Sequence, residues 1–169
     1  MLRLRPYKTC DAPTILSWIK DEIAFRKWSA DRYDHYPISE DDLNSHYQQF
    51  DDTDTFFAWT AYDESGVVGH LIMRFLDEKK EDLRFGFIIV DASKRGKGYG
   101  KGMLQLAIQY AFAMLKVKRI SLGVFDNNPQ AYYCYRSVGL KETKDHSCEY
   151  YQVLNENWKC IELEMIKDE

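Results

Sequence analysis

Val90-Asp91-Ala92-Ser93-Lys94-Arg95-Gly96-Lys97-Gly98-Tyr99-Gly100-Lys101-Gly102 is the stretch from which the rest of the chain can be ordered. An apolar run from Leu83 to Val90 ends there, and Met103, Leu104, Ala107, Ile108, Ala111 and Leu115 then recur at helical spacing. The segment between is therefore a turn from a strand into a long helix. Glycines at 96, 98, 100 and 102 let a backbone approach a ligand closely, and the first N–H groups of the helix have no intrahelical partner, so they can bind an anion. Lys94, Arg95, Lys97 and Lys101 add positive charge where the helix dipole is already positive.

Two familiar phosphate loops do not fit this spacing. Gly100-Lys101 is followed by Gly102, so the hydroxyl that holds magnesium in a Walker A loop is missing. Counting G-x-G-x-x-G from Gly96 or Gly98 puts the third position on Lys101 or Met103, which disfavours a dinucleotide. ATP or GTP hydrolysis and nicotinamide chemistry are both unexpected.

What does fit is Arg-x-x-Gly-x-Gly, read as Arg95, Gly98 and Gly100 behind an apolar strand. In this the chain resembles the GNAT superfamily of acyl-CoA N-acyltransferases. A second segment resembles it independently: after Arg119 to Phe125 come Asn128, Ala131 and Tyr135, closed by Gly139 and Leu140. There Asn128 can cap a helix with Pro129 at its first position, and Gly139 can end it. Leu140 stands where phenylalanine is more usual and Ala92 where proline is.

The resemblance implies transfer of an acetyl group from acetyl-CoA directly to an amine. It implies that Arg95, Gly96, Lys97, Gly98, Tyr99, Gly100 and Lys101 hold the pyrophosphate, and that Ile88, Ile89 and Val90 line the pantetheine arm together with Asn128. It further implies that Tyr135 protonates the departing sulfur. The glutamate that several relatives carry six residues before the position of Val90 is replaced by Arg84. Glu81 is expected to serve as base through water, with Asp82, the more distant Glu78 and His70 as alternatives. Chemistry sets these demands on its own account: an alkyl amine of pKa ~10.4 is neutral in about one molecule in a few thousand at pH 7. The oxyanion needs a donor, for which a backbone N–H near Ile89 or Val90 is expected, and the thiolate needs a proton.

Outward from these motifs the chain reads as one α/β (α+β) domain over residues 1–169, without a visible linker. Leu2 to Tyr7 alternates like an opening strand; Asp11 and Pro13 suggest a helix start, with Ile15, Ile19 and Ile23 on one face. Ser39 and Asp42 resemble a capping box. Phe56–Tyr62 and Val67–Leu76 flank the turn signal Asp63-Glu64-Ser65-Gly66, and Glu149–Leu154 and Trp158–Ile166 read as closing strands. The expected order is β-α-α-β-β-β-α-β-α-β-β, a mixed and mostly antiparallel twisted sheet flanked by helices, as the family would have it.

The 169 residues carry 45% hydrophobic side chains and a formal net charge of −4, enough for a substantial core and no argument for nucleic-acid binding. No apolar run approaches the ~20 residues of a membrane span, and an opening that alternates Leu with Arg is no signal peptide. Cys10, Cys134, Cys148 and Cys160 form no C-x-x-C pair and no metal spacing with the four histidines, so no metal is expected and a reducing cytoplasm is. The expected partner is a small-molecule or peptide amine, with neither membrane nor nucleic acid involved; among similar proteins a homodimer is common. Acidic runs such as Glu40-Asp41-Asp42 slightly favour a cationic acceptor. Trp28, Tyr33, Tyr36 and Tyr47 are expected to line an acceptor pocket or to fill the core between the first helices. Two other readings stand beside the enzyme: an acyl-CoA sensor of the same fold without efficient catalysis, and an unrelated interaction module.

Overall fold

The computed structural model describes residues 1–146 and 148–168. β1 (Arg3–Pro6) leads into α1 (Ala12–Ser17), α2 (Glu22–Ser29) and α3 (Glu40–Gln48); β2 (Phe56–Asp63), β3 (Gly66–Phe75) and β4 (Asp82–Val90) follow. Then come α4 (Tyr99–Ala113), β5 (Arg119–Phe125), α5 (Pro129–Ser137), β6 (Lys141–Glu142), β7 (Cys148–Val153) and β8 (Glu156–Ile166). The sheet runs β1-β2-β3-β4-β5-β8, with β6 and β7 both on the outer side of β8. Every pairing is antiparallel except β4 with β5.

Apolar periodicity decides which face each element buries. Met103, Leu104, Ala107 and Ala111 of α4 are fully buried against Leu71, Met73, Leu83 and Phe85 on one face of the sheet. On the other face, α1–α3 contribute Phe25, Leu43 and Tyr47, which pack with Ile72. α3 begins with the expected capping box: the Ser39 hydroxyl accepts from Asp42 N, and Asp42 Oδ2 accepts from Ser39 N.

The first helical region differs from expectation, because two helices replace one. The chain leaves helical geometry after Ser17, and the Asp21 carboxylate accepts from Ala24 N at 2.7 Å to start α2. Ile15 is buried, but Ile23, expected on the same face, is 52% exposed. Asp11 also differs. Its carboxylate does not cap α1; it accepts from both Arg5 terminal nitrogens at 2.8 Å, from Lys8 N and from the Thr60 hydroxyl. Burial alone pushes this carboxyl up, but these donors together hold it below the usual range. β6 is an addition to the expected order.

The feature that positions the site is a bulge in β4. Ile72 faces Gly86 and His70 faces Ile89, so Phe87 and Ile88 together lie opposite Leu71. Phe87 sits at φ 47°, a conformation that costs a non-glycine residue about 1–3 kcal/mol and that packing must hold. Beyond the bulge β4 bends away from β5. Their parallel pairing covers only Asp82↔Arg119, Leu83↔Ile120 and Arg84↔Ser121, so Phe85 to Val90 has an edge with no strand beside it.

Candidate active site

The glycine turn stands at the open end of that edge. The Asp91 carboxylate accepts from both the N–H and the hydroxyl of Ser93 at 2.9 Å, closing a tight turn over Ala92–Lys94. Gly96 and Gly98 have φ of 73° and 85°, and no atom lies within 4 Å of where a Cβ would stand. Glycine is required there by backbone conformation, not by crowding. Gly98 starts α4, leaving the first N–H groups of that helix free for an anion.

The turn is moored by residues that face away from the cavity. Tyr99 donates its hydroxyl to Asp63 at 2.7 Å, and the Lys94 ammonium reaches the Ser65 hydroxyl at 3.1 Å and lies over the Tyr99 ring. The hydroxyl of Ser65, then those of Tyr99 and the Ser65 N–H, hold the Asp63 carboxyl at about 2. Of the residues expected around a pyrophosphate, Arg95, Gly96, Gly98, Gly100 and Lys101 border the cavity, whereas Lys97 and Tyr99 do not.

The cavity, of about 760 Å³, fills the gap between β4 and β5. Ile88, Ile89 and Val90 form one wall, and α5 supplies Asn128 and Tyr135 opposite. Asn128 precedes α5 at the capping position, yet its side chain makes no capping hydrogen bond. It is left to face the cavity. Tyr135 is 7% exposed, and its hydroxyl has no hydrogen-bond partner among the described residues. Burial, and then nearby Cys134, push its pKa well above the usual phenol range, so the phenol keeps its proton throughout neutral pH. Cys134 packs against the helix start, its Sγ 3.3 Å from a Cβ built on Gly100.

The carboxylates near β4 are elsewhere. Glu81, expected as the base, precedes the far end of β4 and pairs with Lys118 at 2.7 Å. At about 3.3 Å per strand residue, it lies roughly 20 Å from the Ile88–Val90 wall, because an extended chain carries neighbours in sequence far apart in space. Asp82 is bound by Arg119. His70 is fully buried; it bridges the Tyr47 hydroxyl at 2.7 Å and the Trp59 carbonyl at 2.8 Å, and burial lowers its pKa to about 4. It ties β2, β3 and α3 together and does not face the cavity. Asp21 is the one carboxylate among the described cavity-lining residues, and it already caps α2.

Three features were outside the reach of the motifs. Trp28 lines the cavity, meets Phe87 edge-on at 5.0 Å, and its buried indole N–H has no partner. Tyr33, Tyr36 and Tyr47 pack with Phe25 and Leu43 in the core below α1–α3. Arg84 forms a two-pronged pair with Glu162 at 2.8 Å on both contacts, a partnership 78 residues apart in sequence.

At the lip of the splayed sheet, then, stands a helix start opened by glycine, with the unpaired edge of β4 running along the gap. The chain belongs to the acetyltransferase (GNAT) family, whose sequence pattern matches residues 22–140. It is 34% identical over 85 residues to the spermine/spermidine N(1)-acetyltransferase of Bacillus subtilis (strain 168), a match covering 47% of this chain and 56% of that protein. The chain thus spans little more than half the length of this relative. The probable spermine N(1)-acetyltransferase of Bacillus subtilis subsp. natto (strain BEST195) matches to the same extent. Among solved structures, spermidine N-acetyltransferase from Vibrio cholerae in complex with CoA and spermine superimposes with a TM-score of 0.83 at 20% identity, covering 98% of this chain and 95% of that one. No helix among the described residues is long and apolar enough to cross a membrane.

Proposed function

We propose that this protein transfers an acetyl group from acetyl-CoA directly to a primary amine. The observation that carries this reading is the pair Asn128 and Tyr135: two polar side chains on one short helix, unused by the fold, facing the unpaired edge of β4 across the cavity. Arg95, Lys101 and the first N–H groups of α4 hold the pyrophosphate. The pantetheine arm lies along Ile88–Val90 and is steered by Asn128. A main-chain N–H beside the bulge meets the oxyanion, and Tyr135, kept protonated by burial, gives its proton to the departing sulfur.

With Glu81 remote and Asp21 engaged, no lining carboxylate is free as a base. The amine therefore enters neutral, or loses its proton to water as the apolar cavity desolvates it. The four cysteines are free, in keeping with a reducing cytoplasm. The relatives act on polyamines by name; that supports an amine acceptor here, and the reaction class is as far as their likeness reaches.

Calorimetric titration with acetyl-CoA tests the reading, followed by thiol release with a panel of amines. Micromolar binding that is lost in an Arg95→Ala, Lys101→Ala double variant is the expected result. A wild-type protein that ignores acetyl-CoA would sink the proposal and favour an interaction module; binding without transfer to any amine would favour a sensor.

A further inference from the structure

On the sheet face under α1–α3, Arg74, Arg84 and Arg119 stand with Asp82, Glu162 and Glu164, and of these three arginines Arg74 alone has no ion-pair partner among the described residues. Arg74 of β3 stands directly across from Arg84 of β4 in the ladder, an arrangement that opposes folding between like charges. Arg84 is satisfied by Glu162. Arg74 is half-buried, and no hydrogen bond or ion pair reaches its guanidinium among the described residues. Burial, and then the neighbouring Arg32 and Arg84, depress its pKa, against weaker support from Tyr151 and Glu162.

A second observation points the same way. Ser121 of β5 is next in register to Arg84, is 1% exposed, and its hydroxyl has no partner. A buried hydroxyl left without a partner is costly, and here it lies in the row that runs from Arg74 through Arg84. The row reaches the cavity through Gly123. A Cβ at this wall residue would stand 2.9 Å from Arg84 Nη2 and 3.3 Å from Glu162 Oε1, so the ion pair lies directly over a glycine of the cavity wall.

Resting on the transferase reading above, we infer that the acceptor amine carries an oxyanion, a carboxylate or a phosphate, which docks on the unpaired guanidinium of Arg74, beside the Arg84–Glu162 pair. The guanidinium fork matches such groups two bonds at a time. A polycation meets the unpaired Arg74 charge and finds no free carboxylate in the described lining. Arg84 takes up Glu162 in its fork, and Arg74 is on this reading the element that turns acceptor choice from cation to zwitterion.

The experiment compares kcat/KM for amines matched in pairs: phenylalanine against phenethylamine, β-alanine against ethylamine, and phosphoethanolamine against ethylamine, with spermine alongside. We expect at least one oxyanion-bearing member to exceed its plain partner by about tenfold or more, mainly through KM. The carboxylate and phosphate arms identify which oxyanion is read. In Arg74→Gln this preference collapses to less than about twofold, and Arg74→Lys restores part of it. Because Arg74 is an unpaired charge facing another arginine, Arg74→Gln is also expected to raise Tm, whereas a merely structural arginine would lower it. Equal rates within every pair, a preference for plain amines or spermine, no transfer to any paired amine, or a preference that survives Arg74→Gln overturns the inference. Failure to bind acetyl-CoA at all overturns instead the transferase reading beneath it.

Discussion

The proposed reaction concentrates its chemistry in the hydroxyl of Tyr135. Its burial does two things: it keeps the phenol protonated and leaves the cavity as the place where that proton can go. Tyr135→Phe is expected to lower kcat by about a hundredfold or more, the usual scale for one proton donor, while calorimetry shows acetyl-CoA affinity within about twofold of wild type. Because the phenol titrates far above neutrality, the pH profile should rise as the amine loses its proton and show no falling limb from Tyr135 below pH ~10. Tyr135 and Asn128 were picked out by the resemblance to the family, and seven residues apart at helical spacing they share one face toward the cavity. Glu81 lies far from the cavity for the complementary reason: in a strand, nearness in sequence is distance in space, so the carboxylate just before β4 ends beside Lys118. Arg84 read as the absence of a base; only the fold supplies Glu162, which converts that absence into a charge pattern.

At the scale of elements, the glycine turn, α4 and α5 follow from local rules, since caps and glycines act within a few residues. The break between α1 and α2 was harder to read, because Asp21 caps a helix inside what reads as one apolar period. The β4 bulge left no mark at all: Phe85-Gly86-Phe87-Ile88-Ile89 reads as an unbroken strand, and packing of Phe87 against Trp28, not propensity, holds its backbone. His70 joins three elements, and its titration gives the tie a pH signature. Its pKa falls from 6.5 to about 4 on folding, so the unfolded chain binds the proton more readily. The stabilisation is complete above pH 6.5 and is lost as pH falls toward 4. Denaturant titrations across this window should show wild-type stability declining, and His70→Gln, though less stable at pH 7, should show a flatter decline.

Across the whole molecule, a chain of net charge −4 presents a local basic turn to an anionic ligand, so affinity should weaken with salt. Acetyl-CoA at a hundred times its Kd should add about 2.7 kcal/mol, which for a chain of this size corresponds to a Tm increase of about 5–10 °C. Differential scanning calorimetry checks it, with the Arg95→Ala, Lys101→Ala variant as the silent control. Fold class was legible at this scale because the two motifs and the alternation of elements agree; the Arg74 environment on which the proposed acceptor choice rests was not, because side chains from β3, β4, β5 and β8 come abreast only in the folded sheet.

The divergence of β4 from β5 has a consequence for hydrogen exchange. Three register pairs join the two halves of the sheet, and past them the β5-facing amides of Phe85–Val90 meet solvent where a central strand would ordinarily shield them. In deuterated water this inner segment should label early, like a frayed terminus, while Leu71 and Met73 one strand away label late. Loading with CoA should silence it selectively, as though a strand had been added from outside. The ligand would then be a temporary part of the sheet, and the time a label takes to enter β4 would measure its residence.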